Sequence, residues 1–150
     1  MMTAGYLLAV LASALWGLTY CLDERILQSQ SIYRLYYLHT VGGVVLTAPL
    51  LWWQGESLWP WAISTPVDSQ PASATVGLML FTMLIATVAA LSILKSIELL
   101  GAQRAAVFEI SYPLFVVLFG ALLFRHAVSP RVLIGGALIF AGALVIMKSE

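Results

Sequence analysis

Charge is the scarcest property of this chain. Only seven of its 150 residues are Lys or Arg and seven Asp or Glu, 9% in all, where soluble domains carry about 25%. So few charges cannot keep a 61% hydrophobic chain in water as a folded soluble domain. The two signs cancel, so no basic field marks the chain for nucleic acid. Cysteine is nearly missing as well. Cys21 stands alone, which excludes an internal disulfide and a cysteine-ligated zinc cluster, and it reads as a packing residue. There is no nucleophile–base pair, metal-ligand cluster, Walker loop or dinucleotide fingerprint. A single acid lies deep in an apolar stretch, short of the paired set an intramembrane enzyme needs. The chain therefore reads as neither an enzyme nor a cofactor or metal carrier.

What the chain does have is long apolar runs. Five of them cover roughly Gly5–Leu22, Leu35–Trp53, Ala74–Leu94, Ala105–Phe124 and Val132–Met147. A helix needs about 20 mostly apolar residues to cross the hydrocarbon core, with a range of roughly 17–25. The first four meet that length. The fifth is short unless Arg131 and Lys148 snorkel at its ends. Barrel strands would alternate apolar and polar residues, whereas these runs are continuous and rich in Leu, Ala, Gly and Val. The expectation is an all-α integral membrane protein of five transmembrane helices, forming a single domain over residues 1–150. Met1–Tyr6 contains no basic residue, so the first run reads as a retained helix and not as a signal peptide.

Four polar connections separate the runs. They are Asp23–Arg34, the long Gln54–Ser73 stretch with Pro60, Pro66, Pro71, Trp59, Trp61, Glu56 and Asp68, a link of Lys95–Arg104 around Gly101, and Arg125–Arg131. Ser129-Pro130 in the last is a helix-start signal. With five crossings, Arg25, Arg34, Lys95, Arg104 and Lys148 share one face, and Arg125 and Arg131 share the other. The positive-inside rule then places the N-terminus outside and the C-terminus in the cytoplasm.

Glu109 is the most informative polar residue. It lies inside the fourth run, five residues past Arg104, or about 7–8 Å along a helix axis. A carboxylate at that depth faces a cavity or a partner, so Glu109 is a candidate proton or cation site, or else a structural ion pair with Lys95, Arg34 or Arg104. By helical spacing it shares a face with Ala105, Ala106, Tyr112, Pro113, Val116 and Gly120. Pro113 is expected to bend this helix and free a carbonyl near Glu109. His39 and Lys95 enter from the same face as the start of the fourth helix, making a candidate polar vestibule with Glu109 and Arg34. Each also has a plainer reading, a satisfied histidine and a snorkelling lysine. Trp16 and Tyr20 lie one turn apart on the first helix beside Ser13 and Gly17, as candidate pocket aromatics or as packing residues. On the fifth helix, Gly135, Ala137, Ala141 and Gly142 are small enough for close helix association, with a partner chain or within this one.

The segment Ala90–Ala106, with Lys95, Glu98, Gly101 and Arg104 among apolar residues, is followed by Tyr112-Pro113-Leu114-Phe115 and by Ile134-Gly135-Gly136-Ala137-Leu138-Ile139-Phe140-Ala141-Gly142. Together with Ala14-Leu15-Trp16-Gly17 and Arg34, this order resembles the EamA-type repeat of the drug/metabolite transporter superfamily. The resemblance covers nearly the whole chain. It implies a half-size secondary transporter of a small metabolite or drug-like solute, in a bacterial inner membrane. Many members carry two inverted repeats and this chain resembles one, which implies an antiparallel homodimer or an inverted homologue as partner. Two departures matter. Arg125-His126 stand where the repeat often has an acid, and Gly5–Leu22 lacks the carboxylate that small multidrug relatives use. A non-transporting subunit that stabilises or regulates a partner membrane protein is the competing expectation.

Overall fold

A computed structural model describes residues 2–59, 72–110, 112–125 and 127–147. Pro60, Trp61, Pro66, Asp68 and Pro71 of the long connection, together with His126 and Lys148, lie outside the described residues. Every regular element among the described residues is helical: α1 Met2–Leu27, α2 Ile32–Trp53, α3 Ala72–Leu100, α4 Ala102–Glu109, α5 Tyr112–Phe124 and α6 Pro130–Met147. Four stretches are long and apolar enough to cross a membrane. They are Ala4–Leu27, Ile32–Trp53, Ser73–Leu100 and Ala102–Phe124, the last taking α4 and α5 together. Pro130–Ile146 is a shorter apolar helix.

The helices outrun the apolar stretches that announce them. α1 does not stop at Leu22 but continues through Asp23, Glu24 and Arg25 to Leu27. α3 does not stop at Leu94 but continues through Lys95 and Glu98 to Leu100. Polarity ends the lipid-facing pattern but does not by itself end a helix, and neither segment contains the Gly or Pro that would break one. The expected link of Lys95–Arg104 thus shrinks to one residue, Gly101, whose φ is 83°. That backbone angle suits a residue without Cβ.

The fourth run is described in two pieces, with Ser111 between them outside the described residues. α4 closes at Glu109, Ile110 is a turn, and α5 opens at Tyr112. Pro113 falls in the first turn of α5, where its missing N–H leaves no bond unmade. Pro113 is the second residue of α5, and Ser111, two residues before it, lies outside the described residues.

The helices fall into two compact units, one of Met1–Gln28 with Ser96–Glu150 and one of Ser29–Lys95. In the first, α1 packs on α4, and α6 packs on both α4 and α5. Tyr20, Ile97, Ala102, Ala105 and Ala143 are its buried apolar residues. The alanines let helix backbones approach closely, the main route to tight packing in lipid. Gly136 does the same for α5, since a Cβ there would overlap the Leu114 side chain. In the second unit, Ser31 caps α2 by accepting the Arg34 N–H at 3.3 Å. The Tyr36 hydroxyl donates to Thr87 Oγ1 at 3.0 Å.

Hydroxyls within the spans are largely satisfied by their own helix. Ser13, Thr19, Thr40, Thr47, Thr87 and Ser92 each donate to the carbonyl four residues back, at 2.7–3.0 Å. This is how such residues are carried in lipid without an orphan donor.

The glycine geometry yields a graded expectation. Gly136→Val should destabilise the protein by about 1–3 kcal/mol through overpacking against Leu114. Gly101→Ala should do so by a similar ~1–3 kcal/mol through backbone strain. Gly135→Ala, which meets nothing within 4 Å, should fall within about 0.5 kcal/mol of wild type. Thermal unfolding in one detergent checks the order, and equal losses at all three positions would contradict it.

Candidate functional site

α1 and α4 build the site. Tyr20, Asp23, Glu24 and Leu27 share one face of α1 by three- and four-residue spacing, and Ala102, Ala105 and Glu109 share one face of α4. Tyr20 is 6% exposed, and its hydroxyl donates a hydrogen bond to Glu109 Oε2 across 89 residues of sequence. At the other end of the pair, the Ala102 N–H donates to Glu24 Oε2 at 2.9 Å. The later α1 residue thus meets the earlier α4 residue, so the two helices run antiparallel here. Tyr20 lies seven residues in from Leu27, and Glu109 seven in from Ala102, or about 10 Å along each axis. Both partners of the contact therefore lie at matching distances from the neighbouring helix ends.

Chemically, Tyr20–Glu109 joins a phenol, a donor, to a carboxylate that accepts when ionised. Glu109 keeps an exposed portion, so the carboxylate is held on one side and open on the other. Trp16 completes the α1 side, its ring edge-on to Tyr20 at 6.1 Å between centroids and 70° between planes. Trp16 remains 62% exposed. Ser13, on the same side of α1, has its hydroxyl bonded to the Ala9 carbonyl at 3.0 Å.

The structure joins two groups of candidate residues that the sequence reading keeps apart, the Trp16–Tyr20 aromatics and Glu109. Tyr112 opens α5 and is 61% exposed; the tyrosine that donates to Glu109 is Tyr20. His39 and Lys95 belong to the second unit, where both are exposed. On α6, Gly136 and Ala143, seven apart and not among the sequence candidates, are buried and serve packing within the chain. Gly135 and Gly142 form a second stripe with open space beside them. Ala137 and Ala141 lie on a third and are exposed.

Two α1 residues escape the sequence reading. Asp23 is buried to 3% exposure, and Glu24 holds the start of α4. Both sit past the last apolar residue of the first run and so read as connection. Their three- and four-residue distance from Tyr20 is the signal that places them on its face.

Long apolar helices with a polar contact set between two of them define a multi-pass membrane protein. The chain belongs to the EamA-like transporter family, which it matches over residues 3–148. No curated protein and no solved structure matches it.

The contact has a measurable energy. In a double-mutant cycle of Tyr20→Phe and Glu109→Gln, the coupling should fall at about 0.5–3 kcal/mol, the range for directly bonded residues. It should sit toward the low end because Glu109 is partly exposed. Purely additive effects on unfolding would mean the two side chains do not interact.

Proposed function

We propose that this chain is the half-unit of a secondary transporter that moves a small metabolite or drug-like solute. The observation that carries this reading is the Tyr20–Glu109 hydrogen bond between two apolar spans of an EamA-family chain. An intramembrane carboxylate is costly unless it serves a pathway or a partner. Here it is tied to one phenol and open on its other side, an arrangement suited to taking and releasing a proton or cation. Trp16, beside Tyr20, offers an apolar aromatic surface to an organic solute.

Five crossings are part of this proposal, with α4 and α5 as one and α6 as the last. α6 has 18 residues, about 27 Å of helix, slightly short of the roughly 30 Å core and within reach of local bilayer thinning. The basic residues Arg25, Arg34, Lys95 and Arg104 against Arg125 and Arg131 support an outside N-terminus and a cytoplasmic C-terminus, in a bacterial inner membrane. Alternating access needs a second module inverted against the first, so the functional form is an antiparallel homodimer or a pair with an inverted homologue. The open stripe of Gly135 and Gly142 is the surface for it.

Two measurements test the reading. Glu109→Gln should abolish the pH dependence of solute flux in proteoliposomes while the protein stays folded; an unchanged flux and pH profile would remove Glu109 from the mechanism. Cysteines placed at Gly135 and Gly142 should crosslink two chains under mild detergent, and monomers alone would exclude this contact.

A further inference from the structure

We infer that Glu24 is the positioning residue of the Tyr20–Glu109 contact: reaching over from α1, it caps α4 and sets the depth at which α4 presents Glu109. A helix start leaves backbone N–H groups without partners, and a side chain at the capping position usually accepts one of them. Gly101 occupies that position at φ 83° and ψ 158°, a region essentially confined to glycine. A residue able to cap α4 from within its own segment would be strained there. Glu24 supplies the missing acceptor from another helix, 78 residues away, at 2.9 Å from the Ala102 nitrogen. Its negative charge also faces the positive end of the α4 dipole.

Three further facts make this a positioning role. α4 is an eight-residue helix that begins directly after Gly101, whose positive φ separates it from α3. Glu24 and Tyr20 are four residues apart on α1 and engage opposite ends of α4. α6 also packs on α4, but apolar packing fixes axial register less firmly than a directional hydrogen bond. Beside the cap lies an open cleft of about 220 Å³ lined by Glu24, Leu27, Gln28, Ile97, Glu98 and Gly101. The cleft leaves part of the Glu24 carboxylate open to solvent.

The consequence for transport rests on the reading above; the positioning role is measured without flux. Infrared difference spectra of the full chain in lipid nanodiscs, at one fixed pH, identify the Glu109 carboxyl band as the one lost in Glu109→Gln. Tyr20→Phe gives its position without the phenol. Glu24→Asp keeps the charge but shortens the reach, and should move the band toward the Tyr20→Phe position. Glu24→Gln loses the charge but keeps an acceptor oxygen, and should leave the band in place. Amides of α4 should exchange about five-fold faster in Glu24→Asp, the factor expected for a lost cap. A band unmoved in Glu24→Asp, or moved in Glu24→Gln, would overturn the inference. Because Glu109→Gln flux tests the transport reading separately, either can fail while the other stands.

Discussion

A carboxylate set among apolar helices must find a partner, and here Glu109 finds the Tyr20 hydroxyl. The rest of the first unit is arranged around that need. The phenol lies at the depth of the carboxylate, with α1 and α4 as antiparallel neighbours. They also come close, and the alanines at 102 and 105 permit it. The chain then has to turn sharply from α3 into α4, and Gly101 supplies the backbone angle. Without this contact and the Glu24–Ala102 bond, the same helices would have little reason to hold this register, because lipid solvates apolar faces about as well as another helix does.

The two ends of α4 belong to the same account. α4 ends at Glu109 with Ile110 in a turn, and it packs on both α1 and α6. The site-bearing helix thus answers to its neighbours, while α5 is packed against α6 through Gly136 and Leu114. Membership of a transporter family gives this division a natural use, since transport requires one part of a site to move against another.

Much of the architecture was legible in the residues. Long apolar runs announce the spans, Gly101 stands at the turn into α4, and Glu109 is conspicuous as the acid deep in a run. The order of Trp-Gly, Tyr-Pro and Gly-rich segments pointed to the family the chain belongs to. Other features were not legible, for identifiable reasons. Hydropathy marks where lipid contact ends, not where a helix ends, so α1 and α3 ran past their apolar stretches and Asp23 and Glu24 were read as connection. A proline within an apolar run signals a disturbance without saying whether the helix bends or restarts. The Tyr20 partner of Glu109 lies 89 residues away, and periodicity within one helix cannot reveal which other helix it meets. The glycines of α6 look alike in sequence, and only packing separates Gly136, used inside the chain, from Gly135 and Gly142.

The most direct measurement of the central claim is proton movement across liposomes containing the purified full chain, followed with a pH-sensitive dye as candidate solutes are added. A carboxylate held by Tyr20 at the centre of a transport cycle predicts proton flux that appears only with a transported solute and disappears in Glu109→Gln. Solute uptake with no proton or cation movement, or with movement indifferent to Glu109, would contradict it.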